Sequence, residues 1–285
     1  VLNMVLDPLL IFGIGPVPGF GAAGAAAATV FSQFCVFALY LFSARKDKRL
    51  FHRIRIFSQS ERGSAVRIVR IGLPSAAQDC IFSLISMTIA RIIAGWGDGA
   101  IAAQKVGTQV ESISFMISGG FATAINAFTA QNFGAGRYDR IQKGFSTGAV
   151  LMVAWGAFTS VVLIAFPEPL MRLFIQEADV VEIGASYLRI MGLAEIFSCL
   201  EGLASGMFQG MGHTVPPAVT GMAFNLFRIP AALLLSATAL GLSGIWWAMS
   251  LSMFLKGVVL PIWFILFLRR FMRAHKAAPA AEKPA

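Results

Sequence analysis

The stretch Asn3-Met-Val-Leu-Asp7-Pro8 returns near the other end of the chain as Asn225-Leu-Phe-Arg-Ile-Pro230. Asn and Pro keep the same separation in both copies. After a Gly/Pro break, the first copy continues as Gly21-Ala-Ala-Gly24-Ala-Ala-Ala-Ala28. The second continues as Gly241-Leu-Ser-Gly244-Ile-Trp-Trp-Ala248 after a slightly shorter break. Each G-x-x-G-x-x-x-A opens a long apolar run. A pair of hydrophobic helices that occurs twice predicts a membrane transporter built from two related halves.

Composition carries the same message. Hydrophobic residues make up 57% of the 285 and charged residues 13%, with a mean hydropathy of +0.73. A soluble domain carries about 25% charged residues, so this chain lacks the charge to cover a water-facing surface. Apolar stretches recur near 20–44, 70–96, 100–130, 144–166, 185–210, 215–239 and 244–268. Each is long enough for a helix to cross a hydrocarbon core about 30 Å thick. Residues 1–13 read as the tail of a further span. The opening Val, without a basic signal-peptide flank, reads as the later part of a longer protein. Continuous runs without ten-residue alternation exclude a barrel and predict an all-α polytopic protein.

The net charge of +9 is unevenly spread. Nine basic residues between Arg45 and Arg70 crowd one loop, Arg137, Arg140 and Lys143 occupy another, and Arg269, Arg270, Arg273 and Lys276 follow the last span. The alternate connections are short, neutral or acidic. This alternation follows the positive-inside rule and places the C-terminus in the cytoplasm. It predicts topogenic, lipid-facing loops and no nucleic-acid partner. The expected organisation is 1–44 as the last two helices of one lobe, 45–69 as a cytoplasmic linker, 70–270 as a six-helix lobe and 271–285 as a disordered tail. Residues 167–182 read as an amphipathic turn at the outer interface, with Trp96, Trp246 and Trp247 in an aromatic belt nearby. Cys35, Cys80 and Cys199 lie inside apolar runs without close partners, which fits neither a disulfide framework nor a zinc site.

Ionisable residues inside spans cost about 2.5–3.5 kcal/mol each at the bilayer centre, so they mark function. The candidates are Asp79, Glu111, Glu195, Glu201, Arg228 and Lys256. Ser198, Glu201, Ser205 and Gln209 recur at i, i+3, i+7 and i+11, within about 80° of helical arc. Gln104, Thr108, Glu111, Ser118 and Asn126 form a comparable stripe, as do Ser75, Gln78, Asp79 and Ser86. Three single-sided polar stripes predict a water-accessible cavity between helices. A carboxyl balanced between burial and a nearby cation exchanges a proton or holds Na⁺. Glu201 and Glu111 are therefore expected to bind the coupling ion with Asp79 assisting, while Arg228 and Lys256 act as counter-ions or draw anionic substrate groups. Glu195 ranks lower, about 120° from Glu201 on the helical wheel. Structural hydrogen bonding or pairing with Arg228 or Lys256 is the competing reading of all these carboxyls. No nucleotide loop, H-E-x-x-H or G-x-S-x-G occurs, which excludes the commonest enzyme and ATPase signatures and predicts a transporter without cofactors, driven by H⁺ or Na⁺.

Several stretches together resemble the multidrug and toxic compound extrusion (MATE) family: the opening repeat with Gly21–Thr29, Arg70-Ile-Gly-Leu-Pro74, Val106–Met116 with its Gln109-Val-Glu111, Ala130–Arg137, Gln209–Thr214 and Gly244–Ala248. The resemblance implies twelve helices in two lobes related by a pseudo-two-fold axis, of which this chain holds helices five to twelve. It implies a multi-pass, monomeric protein of the bacterial inner membrane that exports organic, mostly cationic compounds in exchange for H⁺ or Na⁺. Two positions depart from the family. The glutamate that some members carry eight residues after the Gly-Leu-Pro proline is Phe82 here, with Gln78 and Asp79 one turn earlier. The aspartate those members use on helix ten aligns with Ser198. The alternatives are a lipid-linked saccharide flippase of the same superfamily, which needs several cations in its cavity, an inactive transporter fragment, and an integral-membrane enzyme, which the three scattered His disfavour.

Overall fold

A computed structural model describes residues 2–13, 18–46 and 62–277. All regular structure among them is helical, and it falls into two compact units divided between Glu61 and Arg62. The first unit holds α1 (Leu2–Phe12) and α2 (Gly21–Lys46). The second holds α3 (Arg62–Ala94), α4 (Asp98–Gly134), α5 (Tyr138–Ala165), α6 (Pro167–Arg172), α7 (Ala178–Gly192), α8 (Glu195–Gly210), α9 (Val215–Ser236) and α10 (Leu242–Ala277). Six helices are long and apolar enough to cross a membrane, and the bent pair α7–α8 supplies a seventh crossing if it acts as one span. The protein is thus a polytopic helical membrane protein.

Two expected boundaries shift. Helix α3 begins at Arg62, inside the stretch read as a linker, and α10 runs to Ala277, inside the stretch read as a tail. Residues 47–61 and 278–285 lie outside the described residues. The polar starts and ends of these helices carry Arg and Lys, which are good helix formers, so hydrophobicity ends before helicity does.

The duplicated segment folds the same way twice. Pro8 lies inside α1 and Pro230 inside α9. Within each unit, the first glycine pair then lets the next helix close on the end of the one before. A Cβ at Gly24 would come within 2.1 Å of the Leu10 carbonyl oxygen, and one at Gly244 within 2.4 Å of the Leu235 carbonyl oxygen. Only glycine permits such backbone-to-backbone contact, the close packing that substitutes for a hydrophobic driving force between helices in lipid.

The apolar run 185–210, expected as one helix, is broken. Helices α7 and α8 meet at Leu193–Ala194 with a bend of 52°. The carbonyls freed at the end of α7 are taken up by neighbouring helices. Ser250 on α10 donates to the Ile190 carbonyl at 3.1 Å, and Ser160 on α5 donates to the Gly192 carbonyl at 2.6 Å. Irregular backbone at membrane depth survives only with such partners. Replacing Ser160 and Ser250 together by Ala is expected to cost about 1–3 kcal/mol per orphaned carbonyl. Thermal unfolding of the purified protein checks this: the Tm should fall well below that of a Ser146→Ala control, whose hydroxyl bonds the Gln142 carbonyl of its own exposed helix face.

Two hydrophobic clusters organise the second unit. One gathers Ile93, Ala100, Met171, Leu188, Tyr187 and Trp246; the other gathers Ile141, Met152, Phe208, Leu260 and Phe264. Short helix α6 contributes Met171, fully buried, while its Glu168 pairs with Arg189 on the exposed surface at 3.5 Å. Trp246, expected in an interfacial belt, is instead fully buried, edge-on to Tyr187 with ring centroids 4.9 Å apart. Along α4, α8 and α10 the first cluster ends near Val110, Ala194 and Met253, and the second begins near Ile125, Cys199 and Leu260. The buried polar residues Glu111, Ser114, Glu195 and Lys256 fall in the gaps between.

Candidate functional site

The seam between the two clusters concentrates the ionisable side chains of α4, α7, α8, α9 and α10. Glu111 on α4 is 2% exposed. Its Oε2 accepts a 2.6 Å hydrogen bond from the Tyr187 hydroxyl on α7, which also lies 3.4 Å from the Thr108 hydroxyl. Three residues along the same face of α4, Ser114 donates a short hydrogen bond to Oε1 of Glu195, the fully buried first residue of α8. One turn further, the Ser118 hydroxyl meets the Cys199 thiol at 3.2 Å. Positions 111, 114 and 118 share a helix face by their i, i+3, i+7 spacing. That face seals α4 against α7 and α8.

The cations complete the set. Lys256 on α10 pairs with Glu201 on α8 at 3.0 Å, with the two side chains 10% and 20% exposed. Arg228 on α9, 8% exposed, donates through Nε to the Ser252 hydroxyl on α10. It stands within electrostatic reach of Glu201, Tyr187 and Glu111, yet forms no ion pair with any of them among the described residues. Three carboxyls therefore share one enclosure with two cations and a phenol. Within it Glu111 Oε1 and Glu195 Oε2 are buried without a hydrogen-bond partner among the described residues. An ionised carboxylate with a buried, unpartnered oxygen carries an uncompensated desolvation cost, which a bound proton or cation relieves.

Tyr187 owes its place to a missing side chain. A Cβ at Gly107 would fall 2.4 Å from the Tyr187 ring, so the ring fills the space one turn before Glu111 that any larger residue would occupy. Gly107→Val is expected to displace the phenol and break its bond to Glu111. An ion-driven efflux assay should then show a fall approaching that of Tyr187→Phe, with the protein still present in the membrane.

The other expected site residues are placed differently. Gln78 is half-buried and its carboxamide lies against Gly221 on α9, where a methyl group would come within 2.6 Å of Nε2. Ser198 is half-buried on α8, one turn before Glu201. Asp79 is exposed and makes no bond to the cluster among the described residues. Conversely, Glu195, ranked lower, is fully buried and bonded to Ser114 of α4, and Tyr187, Ser114 and Ser252 carried no sequence expectation. The wheel separation is real: from the same helix α8, Glu195 faces Ser114 of α4 while Glu201 faces Lys256 of α10. Ser114 carried a usable signal, its i+3 spacing from Glu111.

Ionisable groups buried between membrane helices mark a functional site. The MatE family model matches residues 74–234, and the chain belongs to the MatE family, whose members are transporters and not enzymes. It is 28% identical over 266 residues to a probable multidrug resistance protein NorM of Thermotoga maritima, covering 93% of this chain and 57% of that protein. It is 29% identical over 194 residues to an FAD transporter of Shewanella oneidensis, covering 68% of this chain and 43% of that protein. Among solved structures, MATE in its straight conformation superposes with a TM-score of 0.85 at 21% identity, covering 95% of this chain and 61% of that one. A MOP superfamily transporter of Pyrococcus furiosus, described as having a binding pocket of reversed polarity, gives 0.84 at 22%, with 95% and 61% covered. These structural matches share the fold, and the chain spans a little over half the length of the first relative.

Proposed function

We propose that the complete protein is a proton-coupled antiporter that exports organic, mainly cationic compounds across the bacterial inner membrane, with Glu111 carrying the coupling ion. The observation that supports this reading is the state of the Glu111 carboxyl: one oxygen held by Tyr187, the other buried without a partner. A proton removes the buried charge of that carboxylate without any further ligand. Na⁺ would need several oxygen ligands beside two side-chain cations, Arg228 and Lys256, so the setting favours H⁺. Protonation changes the charge facing Arg228 by one unit, and the seam touches five helices, so a local charge change bears on the packing of the whole unit. On this reading Glu201 and Lys256 form a compensated pair that sets the background field, and Glu195 shares the enclosure as a second exchangeable carboxyl. The assignment of helices five to twelve and of a six-helix C-lobe to the second unit belongs to the same proposal, as does the cytoplasmic C-terminus.

A second reading has one observation behind it. Arg228 is a buried cation without an ion-paired carboxylate among the described residues, and a relative is named an FAD transporter. Anionic cargo, including a lipid-linked saccharide, would suit that guanidinium. The test is transport into or out of vesicles holding the complete protein, with ethidium and FAD as the two cargoes. An imposed pH gradient, but not a Na⁺ gradient, is expected to drive ethidium. Movement of FAD alone supports the second reading, and ethidium transport that follows Na⁺ overturns the choice of ion.

A further inference from the structure

A groove of about 470 Å³ runs between α4 and α5 and is floored by Leu203 of α8, all within the second unit. It shares no residue with the charged seam. Phe121 and Phe128 on α4 and Leu151 on α5 give it apolar walls, whereas Arg140 and Lys143 line one end. Both cations are exposed, and neither forms an ion pair among the described residues. Asp139 stands on the same turn, but it lines a separate, more polar recess with Gln142, Lys143 and Ser146. The apolar slot itself is bordered by positive charge only.

Length decides the occupant. From Arg140 to Leu151 a helix rises about 16 Å at 1.5 Å per residue. That is close to half of a hydrocarbon core about 30 Å thick. The groove therefore reaches from a membrane surface to the bilayer midplane, the depth of one leaflet, with its cations at the surface end. A soluble anion needs no such apolar slot, and a neutral drug needs no such cations.

We propose that this groove is a binding site for an anionic phospholipid of the leaflet at the Arg137–Lys143 end. Arg140 and Lys143 hold the phosphate and one acyl chain lies along Phe121, Phe128 and Leu151. Basic recesses between membrane helices bind acidic head groups in this way. The site fixes lipid where α4 and α5 meet, next to the helix that carries Glu111, and it predicts that transporter stability depends on acidic lipid.

The experiment measures binding of phosphatidylglycerol and of phosphatidylcholine to the complete protein in detergent, by native mass spectrometry and by the lipid-dependent rise in Tm. Phosphatidylglycerol should stay bound and raise the Tm by several degrees; phosphatidylcholine should do neither. Removing two basic residues at about 1 kcal/mol each makes Arg140→Ala/Lys143→Ala bind about 30-fold more weakly. Ala124→Trp, which fills the groove and leaves both cations, should lose the Tm rise as well. Arg270→Ala/Arg273→Ala removes as much charge elsewhere and should keep full binding. Equal binding by wild type and the Arg140/Lys143 variant overturns the proposal. So does equal loss in the Arg270/Arg273 control, or a groove sealed by the rest of the transporter so that no lipid is retained.

Discussion

Glu111→Gln is expected to reduce proton-driven efflux by the complete protein to the level of empty vesicles while the protein still inserts and unfolds near the wild-type temperature. The substitution is nearly isosteric. The Gln carbonyl still accepts the Tyr187 hydroxyl, so the 2.6 Å contact that ties α4 to α7 survives. What disappears is the ability to change charge beside Arg228. Without it, the seam has one fixed electrostatic state and a pH gradient has nothing at Glu111 to act on. Substrate should continue to bind and to equilibrate down its own gradient. Accumulation against that gradient should stop. Efflux assays at several external pH values, paired with Tm measurements, separate this outcome from simple misfolding.

Lys256→Met should have the largest effect on stability. It strands Glu201 as a buried charge that has lost its 3.0 Å partner. Breaking a fully buried pair costs about 3–5 kcal/mol. Glu201 keeps 20% of its side-chain surface, which places the expected loss toward the lower end. Removing both charges, in Glu201→Gln/Lys256→Met, should recover most of it, because two neutral side chains leave no unpaired charge at positions 201 and 256. That double variant also divides the roles of the carboxyls. A pair that only compensates charge leaves proton coupling intact in the stable double variant. Loss of coupling there would move the ion-carrying role from Glu111 to Glu201.

Much of the fold was legible because lipid imposes simple rules. Hydrophobic length located the membrane-crossing helices of the second unit, and the Asn–Pro and Gly–Gly spacings marked the helix pairs that close at Gly24 and Gly244. What hydrophobicity did not mark was where helices start and stop, since α3 begins at Arg62 and α10 runs to Ala277, beyond the apolar runs. The break at Leu193–Ala194 was hidden for a different reason. No proline announces it, and its carbonyls are satisfied by Ser160 and Ser250, far away in sequence. Glu195, the first residue after that break, faces α4, whereas Glu201 on the same helix faces α10. The site was half legible. Charges well inside apolar runs pointed to Glu111, Glu201, Arg228 and Lys256 as interior groups. The same reasoning drew in Asp79, which is exposed. Tyr187 reads as an ordinary aromatic until Gly107 is seen to make room for it.

Coupling turns on Glu111 exchanging its proton when substrate binds. Isothermal titration of ethidium into the purified complete protein, repeated in buffers of different ionisation enthalpy, counts the protons released per substrate. Wild type should release about one, and Glu111→Gln none, with ethidium still bound in both. Proton release from Glu111→Gln equal to that of wild type would contradict the account.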